Sequence, residues 1–340
     1  MTNQNKKVVT FGEVMMRLSP PGFAKFSQAN SLVLEYGGGE ANVAISLAYF
    51  GMRAAHVTRF PDNYIGRAAT QFLRRHWLDT SAVQYGGDML GKYFVEKGAV
   101  HRPSRVVYER DGSAFSEIDA SMFDWETILD GADWFHWTGI TPGISKGAAE
   151  ACKKAIEVAN AKGLTVSADI NSRKNLWNYG TKPSEMMPDL ISGTDIIIGG
   201  YNDIKEIYDI EVSGSKKEKF SMAAQALIQI CPRVKKVFDK ERKMISASHN
   251  TIQGEMWGNN TFRKSPKLDI THIIDRIGTG DAYAAGVIYG LLHYKTDQEA
   301  LDFATAACAL KHTVEGDVNM VSAEDVEFLM QGNTSGKIIR

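Results

Sequence analysis

The chain has 340 residues, 44% hydrophobic and 23% charged, with a formal net charge of −1. This is the composition of a soluble globular protein with a sizeable core, arranged as one large α/β domain or two modest ones. The near-neutral balance excludes a field that would gather nucleic acid or anionic membrane. No apolar run reaches membrane-spanning length, and residues 1–7 are polar with no signal-peptide core, so a cytoplasmic protein is expected.

In chain order, apolar β-rich runs alternate with helical patterns. Strands are predicted at 8–13 and 54–58 and helices at 41–50 and 65–77. A strand at 134–137, a helix at 148–161 and a strand at 164–169 follow, then a strand at 195–198, a helix at 222–230 and a strand at 234–238. Two Ala-rich helices close the series, at 281–293 and 298–312. Such alternation predicts a mainly parallel sheet with helices on both faces and a ligand at the carboxyl ends of its strands.

Two stretches break the alternation. Residues 14–36 and 92–112 hold short half-polar strand candidates at 31–36, 92–97 and 105–110, with no helix between them. They read as pieces of a small antiparallel sheet that closes over a site, pairs with another subunit, or both. The division expected is a core of 1–13, 37–91 and 113–340 with a discontinuous lid of 14–36 and 92–112. Residues 332–340 read as a loose tail.

Cys152, Cys231 and Cys308 are odd in number and far apart, which predicts reduced structural thiols. No HExxH or Cys/His cluster marks a metal site. His136, between Trp134 and Trp137, reads as a core histidine, and the aromatic run around it as a core strand, because no basic stripe accompanies it.

The most informative run is Asp275-Arg276-Ile277-Gly278-Thr279-Gly280-Asp281, which enters a small-residue apolar helix. Glycines allow backbone amides to converge, and a helix N-terminus adds partial positive charge, so the loop suits a phosphate. Asp281 in the first turn fits a base that takes a proton from an attacking hydroxyl. Taken alone the run reads equally well as an ordinary turn with an aspartate on the helix dipole, and it is not a Walker loop. Gly37-Gly38-Gly39-Glu40-Ala41-Asn42 is a second glycine-rich turn, where Gly37, Gly38 and Asn42 could meet sugar hydroxyls or simply form a strand-to-helix connection.

Together these two runs, in this order and about 235 residues apart, resemble the two signatures of the ribokinase-like (PfkB) carbohydrate kinases, and the similarity spans about 8–330. The resemblance implies a ribokinase-like α/β fold, a mainly parallel central sheet flanked by helices with a small β-sheet lid. It implies ATP and Mg2+, with potassium as a further cation to which members respond, and a homo-oligomer, through paired lids or larger. Thr58 and Pro61 stand where many members have glycine, and Arg276 where proline, threonine or valine is usual. The acidic Asn-x-x-Glu motif that helps arrange magnesium is not intact: Asn202 is followed three residues later by Lys205, so Asp203 or Glu206 could supply the carboxylate.

Within the family, several residues are similar to kinases of 2-keto-3-deoxygluconate: Glu13 after Gly12, Tyr93, Tyr108-Glu109-Arg110, and Asp169-Ile170-Asn171-Ser172-Arg173. The segments 246–250 and Leu310-Lys311-His312-Thr313 are similar too. The expected reaction is ATP-dependent phosphorylation of that sugar acid to its 6-phosphate. Asp281 would act as base and the amides of Gly278, Thr279 and Gly280 as anion hole. Glu13, Gly37, Gly38, Asn42, Tyr93, Tyr108, Arg110 and Arg173 would bind sugar, the arginines gripping its carboxylate. Arg242, Ser248, Asn250, Gly278 and Gly280 are the nucleotide-side candidates, although 246–250 reads nearly as well as a solvent-facing hairpin. A kinase of a neutral ketose such as fructose is the rival reading, and a sugar or nucleotide sensor without turnover is another. A dinucleotide dehydrogenase lacks its Gly-x-Gly-x-x-Gly after the first strand.

Overall fold

The computed structural model describes residues 6–171, 173, 175–334 and 336; Ser172 and parts of the polar N-terminus and the expected tail lie outside them. In chain order the first elements are β1 (Lys7–Phe11), β2 (Met15–Ser19), β3 (Val33–Gly37), α1 (Gly39–Tyr49), β4 (Arg53–Val57), β5 (Arg59–Phe60) and α2 (Tyr64–Arg75). Then come β6 (Gln84–Tyr85), β7 (Lys92–Glu96), β8 (Arg105–Glu109), α3 (Trp125–Ile128), β9 (Trp134–Thr138), α4 (Ile140–Ile144), α5 (Lys146–Ala161) and β10 (Thr165–Asp169). They are followed by α6 (Pro183–Ser192), β11 (Ile196–Ile198), α7 (Tyr201–Tyr208), α8 (Lys216–Ile230), β12 (Lys236–Ser246) and β13 (His249–Gly258). The chain closes with β14 (Thr261–Lys264), β15 (Leu268–Ile270), α9 (Thr279–His293), α10 (Asp297–Lys311) and α11 (Ala323–Met330).

The main sheet runs β14-β13-β12-β11-β10-β9-β1-β4, with β15 beside β13. From β12 to β4 every pairing is parallel, and only the β12–β15 edge is antiparallel. Helices cover both faces, so β9 and β11 are buried at every position, as continuous apolar runs in parallel sheets require. His136 lies in that core with Nδ1 2.8 Å from Ser167 Oγ, and burial lowers its pKa to about 3. Trp134 donates to the same hydroxyl at 2.7 Å. The three cysteines are buried free thiols.

Helices α9 and α10 pack closely because α9 carries small residues on one face. A Cβ on Gly286 would stand 2.5 Å from Ala304 Cα, and one on Gly290 2.6 Å from Ala300 Cα. That close approach seats the middle and later turns of α9 against α10.

The small sheet has the order β3-β2-β7-β8. Its outer pairs are antiparallel, but β2 and β7 pair in parallel, which corrects the antiparallel sheet expected. The reason is connectivity: between β2 and β7 the chain passes through α1, β4 and α2 of the main body, and such a crossover delivers the second strand in the same direction.

Candidate active site

A cleft of about 1320 Å³ lies between the small sheet and the carboxyl ends of the parallel strands. Its walls include Glu13 after β1, Asp169 at the end of β10, Gly199 after β11, and Asp239 and Lys240 in β12. Strand ends gather there because all the parallel strands point one way.

At the base of the cleft, Gly278 precedes α9 with φ +77°, and a Cβ there would stand 1.8 Å from Asp317 O. Only glycine fits this turn. Ala282 N is the first amide of α9 to reach a helical acceptor, Gly278 O at 2.9 Å, which leaves the amides before it as an anion-binding nest. Above Gly280 a Cβ would meet nothing nearer than Lys240 Nζ at 3.9 Å, so the space is open to a ligand oxygen with an ammonium beside it.

Asp281 follows the nest. Asn42 Nδ2 donates to its Oδ2 at 2.7 Å, and Gly38 N donates to Asn42 Oδ1 at 3.4 Å, so the two signature turns hold one another. Burial raises the Asp281 pKa to about 7, with the charges of Asp169, Asp317 and Glu40 adding to the rise and the Asn42 bond opposing it. A carboxylate of this kind is poised to accept a proton near neutral pH. Glu40, also pushed up to about 7 by burial, accepts from the Thr138 and Thr141 hydroxyls at 2.7 and 2.6 Å.

Under the small sheet, Ser113 Oγ donates to Glu13 Oε1 at 2.6 Å, and Arg110 Nε stands 3.6 Å from Glu13 Oε2. Burial raises the Glu13 pKa against the pull of Arg110. Arg110 Nε and Nη1 and Glu13 Oε2 are buried without a hydrogen-bond partner among the described residues. Groups of this kind call for a polar ligand. The Tyr93 and Tyr108 rings stack 5.7 Å apart, and the Arg110 guanidinium lies 5.1 Å from the Tyr108 centroid. The Tyr93 hydroxyl donates to Asp317, so its proton is already engaged within the protein. Arg173 lies at the exposed rim of the same cleft.

Glu13, Gly37, Gly38, Asn42, Tyr93, Tyr108, Arg110, Arg173, Arg242, Gly278, Thr279, Gly280 and Asp281 all line this one cleft. Arg242 Nη2 donates to Thr279 Oγ1 at 2.7 Å, which ties Arg242 to the nest. Ser248 and Asn250 are not among the lining residues. Strand β12 runs on to Ser246, so the 246–250 segment is a β12–β13 hairpin set beyond the strand ends. There Ser248 Oγ accepts from Val100 N at 3.1 Å, and buried Asn250 accepts from Arg276 Nη2 at 3.3 Å.

Sequence reasoning missed Lys240 and Asp239 as lining residues and left Asp203 level with Glu206. Asp203 lines the cleft and Glu206 does not. Burial raises the pKa of Asp169 to about 6 and that of Asp239 to about 7, with Lys240 opposing each rise. Burial raises Asp203 likewise. Among the described residues no three His, Cys, Asp or Glu side chains are grouped tightly enough to cage a metal. A magnesium ion asks for less, since it keeps several waters and uses one or two carboxylates with substrate phosphates. Asp203 and Asp239, poorly solvated and facing the cleft, fit that demand.

The profile of the pfkB family carbohydrate kinases matches residues 5–324. The crystal structure of a 2-dehydro-3-deoxygluconokinase from Thermotoga maritima superposes with a TM-score of 0.93 at 41% identity, over 98% of this chain and 100% of that one. A 2-dehydro-3-deoxygalactonokinase from Haloferax volcanii is 29% identical over 330 residues, 97% of this chain and 98% of its own length. A protein described as ribokinase II from E. coli, solved with ATP and Mg2+, superposes with a TM-score of 0.75 over 96% of this chain and 99% of that one. Its 19% identity makes that a likeness of fold alone.

Proposed function

This chain belongs to the pfkB family of carbohydrate kinases, and from that premise we propose that it transfers the γ-phosphoryl group of ATP to the terminal hydroxyl of 2-keto-3-deoxy-D-gluconate. The observation that carries the choice of sugar is that Arg110 and Arg173 line the same cleft as Asp281. A guanidinium recognises a carboxylate through paired hydrogen bonds, and Arg110 has unpartnered donors to give. The relatives from T. maritima and H. volcanii carry names for kinases of this sugar acid and of its galacto counterpart.

In the reaction, Asp281 takes the proton of the C6 hydroxyl as that oxygen bonds to the γ-phosphorus. The bond to the bridging oxygen breaks, and ADP departs with the electron pair. The amides at Gly278, Thr279 and Gly280 bind the charge that spreads over the transferring group, with the Lys240 ammonium beside Gly280. Magnesium, when bound, neutralises the triphosphate, with Asp203 and Asp239 as the carboxylates that would hold it through water. Glu13 and Arg110 orient the sugar from the small sheet, and the stacked Tyr93 and Tyr108 rings cover its deoxy carbon.

A homodimer belongs to the same reading. On the outer face of the small sheet, Leu34, Leu18, Phe94 and Val107 are cross-strand neighbours, and Leu34 and Val107 are exposed. A second small sheet is the natural cover for such a row.

The test is ADP release with Mg2+ across 2-keto-3-deoxygluconate, 2-keto-3-deoxygalactonate, gluconate, 2-ketogluconate, fructose and ribose. The product position is read by phosphorus-coupled NMR. Highest kcat/KM for 2-keto-3-deoxygluconate is expected, and preference for fructose or ribose would overturn the proposal.

A further inference from the structure

Two of the largest wholly buried side chains are cations, Arg17 and Lys311. A buried charge persists only where it is paired and hydrogen-bonded, and both find their partners beside the Gly278 turn. Arg17, on β2 of the small sheet, donates from Nη2 to Asp275 Oδ2 at 2.7 Å and from Nη1 to Asp317 Oδ1 at 2.6 Å. Lys311, in the last turn of α10, donates from Nζ to Val314 O at 3.0 Å and to Gly316 O at 2.8 Å.

These partners are the supports of the nest. Asp275 opens the loop that carries it, accepting from Ile277 N at 3.1 Å and from Gly316 N at 3.3 Å. Asp317 sets its own carbonyl against Gly278. Two carboxylates and two backbone carbonyls therefore converge next to the anion-binding amides. An all-oxygen donor set of this kind suits a hard inorganic cation. Here the positive charge that answers it is already part of the chain, two cations against two carboxylates, with Glu35 3.6 Å from Arg17 at the margin.

We propose that Lys311 and Arg17 are tethered cations that fix the shape of the 275–280 loop, so that turnover needs no inorganic monovalent cation. A free ion would have to displace an ammonium already bonded to the carbonyls, and a tethered one carries no cost of being localised at each cycle. Both are positioning residues, acting on the transferred phosphoryl group through the amides they hold. The potassium response implied by the family resemblance is thus not expected of this chain. The inference rests on the kinase reading but not on the choice of sugar.

The test compares kcat of the wild-type protein in potassium, sodium and tetramethylammonium chloride at equal ionic strength, with ATP, Mg2+ and whichever sugar of the panel turns over. Wild-type kcat is expected to vary by less than about twofold. Lys311→Gln is expected to lose about tenfold or more in kcat with sugar KM little changed, and to recover in part in potassium or ammonium. The ligand-free melting temperature gives a second readout: equal in potassium and tetramethylammonium for wild type, higher in potassium for Lys311→Gln. Severalfold activation of wild type by potassium overturns the proposal. So does wild-type kcat in the variant, or a folded variant that neither ion restores. Should the variant fail to fold, the wild-type salt series decides. Should no sugar turn over, the substrate reading fails and the melting comparison still tests this one.

Discussion

Asn42 and Asp281, 239 residues apart in sequence, are joined by a hydrogen bond of 2.7 Å from the amide Nδ2 to the carboxylate Oδ2. The bond fixes the carboxylate at the mouth of the nest and favours its charged form, which burial disfavours.

Asp281→Asn is expected to fold and to lose at least about a hundredfold in kcat, the usual contribution of a general base. It should also melt higher than wild type at pH 8. Burial raises the pKa from 3.8 to about 7, so between those values the native state holds a proton that the unfolded chain releases. The stability contributed by this group is therefore full below pH 3.8 and is lost as pH rises through about 7. The amide escapes that loss, and the gain in melting temperature should shrink towards pH 4. Turnover of the sugar and thermal melts at several pH values check both parts.

The same pKa predicts that kcat rises with pH through about 7 as Asp281 loses its proton. Asn42→Ala removes the bond that favours the anion, so the rising limb should move up by about one pH unit. The variant's deficit would then be greatest at acid pH and smallest above pH 8. A limb that stays in place would show that another group controls it.

Arg110→Ala and Arg173→Ala should each lower kcat/KM for the sugar acid by about 10- to 100-fold, the worth of a charge-assisted hydrogen bond. The KM for ATP should stay near wild type. Steady-state kinetics with each substrate varied in turn separates the two. Equal damage to both would remove the carboxylate-gripping role.

Gly278→Ala is expected to destabilise the protein by more than about 2 kcal/mol, since a left-handed conformation and a backbone collision act together. The collision is with Asp317 O at 1.8 Å. Chemical denaturation of the variant against wild type measures the loss.

The parallel core was readable because β9 is a mostly aromatic run and β11 an unbroken apolar one, and the nest because two glycines flank the start of a small-residue helix. Strand β2 was hidden by inverted alternation. Met15, Arg17 and Ser19 face inward while Met16 and Leu18 are more open, so the charge that sequence patterning sends to solvent is the buried one. The extension of β12 past Phe238 was hidden for a related reason, since Asp239, Lys240 and Arg242 point polar groups into the cleft and read as loop. Arg17 and Asp317 are 300 residues apart, and no local pattern could pair them. Asp203 could have been preferred to Glu206 by counting from the end of its strand, because only the first turn of α7 reaches the cleft.

Asp281 and Asn42 sit on α9 and α1, which pack directly against one another, whereas Tyr93, Tyr108 and Arg110 are carried by the small sheet and the residue that follows it. In the proposed function, the groups that move the phosphate belong to the main body, whereas the grip on the sugar is divided between the small sheet and Glu13, Asn42 and Arg173 of the main body. Descendants of such an enzyme can trade one acceptor for another by editing two short strands and the turn after β10, while the apparatus that moves the phosphate is inherited unaltered.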